Sequence, residues 1–209
     1  NNALTRVCDG DTIIVQAGTY NESINLNGLN IVLASNYIYS NDTADISSTV
    51  ISGIENNRCI SYINAEDSTS LLKGFTIQNG NANGSGFSSY GGGIFCYNSS
   101  PRIEDIVLRD NISSSDGGGL SFILSNSTIS NVTVENNSAI KGGGIDFKNS
   151  ELSIQNSVIY NNSSTDNGGG ISMNNSTIEI SNLHVYGNSS LNDGGGIYVS
   201  YSEAYIFVS

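Results

Sequence analysis

Gly142-Gly-Gly-Ile-Asp-Phe-Lys-Asn-Ser-Glu-Leu-Ser-Ile-Gln-Asn-Ser-Val-Ile-Tyr-Asn-Asn-Ser-Ser-Thr-Asp-Asn167 is one period of a repeat, and its spacing decides the fold. The same glycine triplet begins at Gly91, Gly117, Gly168 and Gly194, so the period is constant to within one position. An aliphatic residue follows each triplet: Ile94, Leu120, Ile145, Ile171 and Ile197. Nine positions later comes an isoleucine every time: Ile103, Ile129, Ile154, Ile180 and Ile206. Eight positions beyond the first four of these stand Asn111, Asn137, Asn162 and Asn188. All length variation falls between that asparagine and the next triplet, where a solenoid carries its permissive loop.

Within a period the apolar residues alternate, as Ile145 and Phe147 do, and as Val132 and Val134 do. Period two predicts strands, and the short spacing between them leaves no room for crossover helices. Three short strands per coil predict a triangular prism whose strands each pair with their equivalents one coil on, about 4.8 Å away. Pairing is then parallel, and the handedness of parallel crossovers makes the coil right-handed. The expected fold is an all-β, single-stranded right-handed parallel β-helix of about 26 residues per coil. Glycine tolerates positive φ and close backbone approach, so each triplet is expected to turn the chain into its first strand. Stacking predicts an amide ladder of Asn111, Asn137, Asn162 and Asn188, and a second polar row of Asp105, Asn131, Asn156 and Asn182.

The whole chain, 1–209, fits one such domain. Residues 1–8 are expected to be the remnant of a capping helix, 9–80 irregular first coils, and 91–209 regular coils of which the last is incomplete. Asp9 to Leu33 is expected to form a first coil of three strands, and Thr49 to Gly80 a second whose register the sequence leaves open. Asn36 to Ser48 and Asn81 to Tyr90 are expected to be projecting loops. The repeat puts the ladder asparagine of the last coil beyond Ser209. The expectation is that more protein follows, or that the open coil docks head-to-tail on another copy, against Asn1 to Val7.

Seven Lys and Arg against nineteen Asp and Glu give a net charge of -12. That field disfavours nucleic acid, anionic membranes and acidic polysaccharides. No apolar run reaches the roughly 18 residues of a spanning helix, so membrane insertion is not expected. Asn, Ser, Thr and Gly make up almost half the chain, a neutral amide and hydroxyl surface of the kind secreted proteins carry. Three cysteines, Cys8, Cys59 and Cys96, are not a disulfide framework. Cys96 takes the position filled by Phe122, Phe147, Met173 and Val199 and reads as a buried hydrophobe; a Cys59–Cys96 bridge stays open.

Several segments resemble known families. Asp9-Gly-Asp-Thr-Ile-Ile-Val-Gln-Ala-Gly-Thr-Tyr20 is similar to the opening coil of bacterial right-handed β-helix proteins, including the pectate-lyase-like ones. Leu72-Lys-Gly-Phe-Thr-Ile-Gln-Asn-Gly80 and Gly91-Gly-Gly-Ile-Phe-Cys-Tyr-Asn-Ser-Ser-Pro101 resemble repeats of large secreted and surface proteins. The polymorphic outer-membrane proteins carry Gly-Gly-Ala-Ile and Phe-x-x-Asn signatures. This chain has the first as Gly-Gly-Gly-Ile or Leu, and the second as Leu108, Val134, Ile159 or Val185 with Asn three positions on. The resemblance spans nearly the whole chain and implies the fold. It does not select an activity, because the fold hosts adhesins, passenger domains and lyases.

A lyase of that resemblance needs acids for calcium and an Arg or Lys base. Arg102, Glu104, Asp105, Arg109 and Asp110 are the nearest set, confined to one coil. A carboxylate pair at Asp116 and Asp166 is interrupted by Lys141, so these acids, with Asp193 as a further calcium candidate, read as solvated loop residues. His184, the only histidine, is expected to face solvent. No catalytic residue, metal or cofactor is assigned. Thirteen Asn-x-Ser/Thr sequons stand in the chain. Ladder positions explain some of them; Asn21, Asn41, Asn83, Asn98, Asn126 and Asn174 lie off the ladders and are the candidate N-glycosylation sites. The expected function is a non-catalytic extracellular or cell-surface solenoid, structural or adhesive, with filament assembly open to it. The alternative is a carbohydrate- or receptor-binding module using outward Tyr90, Phe95 and Tyr97, and a polysaccharide lyase comes last.

Overall fold

In the computed structural model, which describes residues 3–207, the chain is a right-handed parallel β-helix. Every strand pairing among the described residues is parallel, and the registers put the sequence rows in contact. Ile94 pairs with Leu120, Leu120 with Ile145, Ile145 with Ile171, and Ile171 with Ile197. The Ile103, Ile129, Ile154, Ile180 and Ile206 row is likewise continuous. A residue stacked on its own kind at strand spacing fills the same volume in each coil, so one packing solution repeats along the axis. The interior column includes Phe122 and Phe147, with centroids 5.9 Å apart, and Cys96 and Met173 in equivalent places.

The cross-section differs from a simple triangle. The first strands, such as Ile145–Lys148, form one sheet. The second and third strands belong to one thirteen-stranded sheet, and they fuse into single strands at Glu151–Tyr160 and Thr177–Tyr186. Between them, Asp105, Asn131, Asn156 and Asn182 each take φ of 49 to 55°. Asparagine and aspartate tolerate this left-handed bend better than other side-chain-bearing residues. A fourth, two-residue strand (Ile112–Ser113, Ser138–Ala139, Ser163–Ser164, Ser189–Ser190) follows each ladder asparagine and closes the coil.

Within the triplet the roles separate. The positive φ falls on the first glycine, +57° at Gly142, rather than on Gly143. Gly143 is required for a different reason: a Cβ there would lie 2.2 Å from the Ser163 carbonyl oxygen and 2.5 Å from that of Gly169. The coils touch backbone to backbone at this corner.

The irregular coils differ from expectation. Thr12–Val15 pairs with Val32–Ser35, so the first turn is shorter than the later ones, and Ile31 and Leu33 open the second coil instead of closing the first. Thr49–Ser52 pairs with Thr76–Gln78, so Thr49 to Gly80 spans more than one turn. Asn36 to Ser48 is not a free loop. It forms helices Tyr37–Ser40 and Thr43–Ser48, with Asp42 accepting from the Ala44 N–H at 2.9 Å. This insertion lies back on the sheet through Thr76 Oγ1, which donates to the Ile46 carbonyl at 3.0 Å. Asn81 to Tyr90 holds strand Asn81–Ala82 and the 3-10 turn Gly86–Ser89, which folds over the first sheet. Leu4–Arg6 is a 3-10 turn in place of a longer capping helix; the rest of the 1–8 expectation at residues 1 and 2, and residues 208 and 209 of the last coil, lie outside the described residues. Cys8, Cys59 and Cys96 are free thiols, and Cys59 and Cys96 are buried.

Candidate functional site

The ladder asparagines are the most fully engaged polar side chains of the solenoid. Asn137 Oδ1 accepts from Asn111 N and Nδ2, both at 3.0 Å. Its Nδ2 donates to Asn162 Oδ1 at 2.9 Å and to the Leu108 carbonyl at 3.1 Å. Asn162 repeats the pattern onto Asn188, 2.9 Å away, and Asn111 Oδ1 carries it back to the Gly80 N–H. Asn111, Asn137 and Asn162 are buried and Asn188 is partly so. Buried amides with every function occupied tie coil to coil and leave no group for a ligand. In the outer row, Asn131 donates to Asp105 at 3.1 Å and Asn182 to Asn156 at 3.0 Å.

The six off-ladder sequon asparagines, Asn21, Asn41, Asn83, Asn98, Asn126 and Asn174, are all exposed. A glycosyl group needs that accessibility, which the buried ladder positions do not offer.

The charged set at Arg102 is a structural network. Arg102 Nη2 lies 2.9 Å from Glu104 Oε1, while Lys73, from the preceding coil, lies 3.1 Å from Glu104 and also bonds Asp105. Burial alone would raise the Glu104 carboxyl, but Lys73 and Arg102 outweigh it and hold it below its usual range. Arg109 donates to Gln78 at 3.0 Å, and Asp110 is exposed.

The acids beside the triplets depart from expectation. Asp116 is buried and ion-paired to Lys148, so it is not a solvated loop acid. Asp166 pairs with Lys141 at 3.5 Å; Asp193 and His184 are exposed. Beside Asp116 lies Asp146, which alternation would send to solvent but which is fully buried. Neither of its carboxylate oxygens has a well-formed hydrogen bond, and Lys148 Nζ is 3.9 Å away. Burial, then the Asp116 charge, push Asp146 up to about 7 against the pull of Lys148 and the neighbouring Ser172 hydroxyl. Among the described residues no three His, Cys, Asp or Glu converge as a metal site, and no helix is long and apolar enough to cross a membrane.

Phe95 also departs from expectation. It points away from the core, as the alternation requires, yet is only 1 % exposed. Tyr90 stacks on it at 5.9 Å, Phe87 lies at 5.8 Å, and the Arg58 guanidinium sits 4.5 Å above its ring. Sequence reasoning did not single out Arg58 or Phe87. The signal available was Arg58 one position ahead of Cys59, where later coils carry the middle glycine.

No protein-family model matches the chain, and comparison with curated proteins and with solved structures found no significant match.

Proposed function

We propose that this chain is a non-catalytic extracellular solenoid that serves as a structural and adhesive segment of a cell surface. The observation that supports this reading most directly is the asparagine ladder. Its buried polar groups are spent on inter-coil bonds along one axis, which makes a stiff spacer out of repeated coils. Much of the exposed surface is amide and hydroxyl, and the six exposed sequon asparagines suit a glycosylated outer surface. Self-association head-to-tail belongs to the same proposal. Beads coated with the chain and passed over cells under flow test adhesion. Retention above that of beads carrying the unfolded chain is expected, and equal retention overturns the adhesive reading. Negative-stain electron microscopy of the chain tests head-to-tail stacking: linear oligomers are expected, and uniform single particles overturn that part.

A further inference from the structure

A cavity of about 460 Å³ opens on the outer face of the first sheet, under the Gly86–Ser89 turn. That volume falls within the range of small-ligand sites. Its apolar wall is Phe87, half exposed, with Phe95 and Tyr97 beside it; the Phe87 and Tyr97 rings are 4.4 Å apart. Its rim carries the amides of Asn25 and Asn57 and the hydroxyl of Ser61. Arg58 lines the cavity and is the one charged residue among those lining it.

Arg58 is unusual in a chain of net charge -12. It is 9 % exposed, and among the described residues it makes no ion pair. Its Nη2 donates to the Phe87 carbonyl, and its guanidinium plane lies over the Phe95 ring. Those contacts fix the side chain and leave most of its donors free. Burial without a counter-charge lowers its pKa to about 10, so the site gains by receiving an anion. A guanidinium held against an aromatic ring in a cavity wall, with donors to spare, can bind a carboxylate in two-point fashion. The aromatic wall suits the apolar face of a pyranose ring, and the amide rim suits its hydroxyls.

We propose that this cavity binds a single carboxylate-bearing sugar unit at the end of a glycan chain, with Arg58 taking the carboxylate and Phe87 and Tyr97 stacking on the ring. The occupant is terminal because the surrounding negative field repels a polymer that repeats the charge, while one carboxylate meets one local cation. This rests on the adhesive reading and names its ligand.

The test is a titration of the whole chain by saturation-transfer NMR. The probes are the methyl glycosides of N-acetylneuraminic acid and glucuronic acid, methyl glucoside, acetate, and N-acetylphenylalanine as a stand-in for a peptide carboxylate. At least one acidic sugar is expected to bind about tenfold more tightly than the neutral sugar, as a charge-assisted pair requires, and more tightly than acetate or N-acetylphenylalanine. Arg58→Gln should lower that affinity about tenfold, and added salt should weaken it. Phe87→Ala keeps the backbone carbonyl that Arg58 uses and should also weaken binding. It decides the matter if the unfolding midpoint shows that Arg58→Gln does not fold. Equal binding of acidic and neutral sugars, equal binding of N-acetylphenylalanine, no binding of either acidic sugar, or undiminished binding by Phe87→Ala overturns the assignment. Bead retention on cells is read separately, so adhesion through another surface would survive this failure.

Discussion

Replacing Asn137 by alanine removes the centre of the ladder, and its cost follows from four hydrogen bonds. The Asn111 N–H and Nδ2 lose their acceptor at 3.0 Å, and the Leu108 carbonyl and Asn162 Oδ1 lose a donor. Asn162 Oδ1 keeps the Asn137 backbone N–H at 2.9 Å, and Asn111 Nδ2 keeps the Ile77 carbonyl at 3.1 Å. The chief loss is therefore the acceptor of the buried Asn111 N–H. An orphaned buried donor costs about 1 to 3 kcal/mol and each of the three weakened partners about 1 more, so a loss of roughly 4 to 6 kcal/mol is expected. That is a large part of the total stability of a typical domain, which is on the order of 10 kcal/mol. Urea unfolding followed by circular dichroism measures it, with amide exchange reporting locally on the Asn111 N–H. Exposed Asn83→Ala is the control and should be near neutral. A loss below about 1 kcal/mol for Asn137→Ala, with the Asn111 amide still protected, would show that the ladder does not hold the coils together.

Gly143→Ala should destabilise by about 3 kcal/mol or more, because its Cβ meets two carbonyl oxygens within 2.5 Å. Gly195→Ala, whose nearest neighbour is 3.3 Å away, should be tolerated; equal thermal midpoints for the two variants would contradict the corner geometry. Val134→Asp puts an unpartnered charge into a position 1 % exposed and should abolish folding. A soluble β-rich variant of ordinary stability would refute the burial assigned to that row. Burial and the Asp116 charge raise the Asp146 carboxyl above its unfolded value of 3.8, so the native state loses stability as pH rises from there through the folded value. The stability difference between Asp146→Asn and the parent chain should therefore grow in the variant's favour from pH 4 to pH 8; a difference independent of pH would place the Asp146 carboxylate elsewhere.

The regular coils were legible because a solenoid writes its cross-section into one period. Ile103 and Ile129 stand one period apart in sequence and side by side in the sheet for the same reason. The early coils were not, since a shortened first turn and an inserted helix pair give no common spacing to find. Alternation also has a limit. It states which side chains leave the core, not whether something else then covers them. Phe95 and Asp146 both point outward and both are buried, the first beneath Tyr90, Phe87 and Arg58, the second beside Asp116 and Lys148. The Arg58 cavity was hidden the same way, because its aromatic wall comes in part from a turn whose path over the sheet no periodicity encodes.

In the proposed function this solenoid holds a surface ligand without transforming it. One sample settles it: the chain is incubated with a panel of surface glycans and with pectin and alginate, with and without calcium, and both retention and newly formed chain ends are measured. Glycans that end in an acidic sugar are expected to be retained and recovered intact. New chain ends that increase with the amount of folded chain would contradict it.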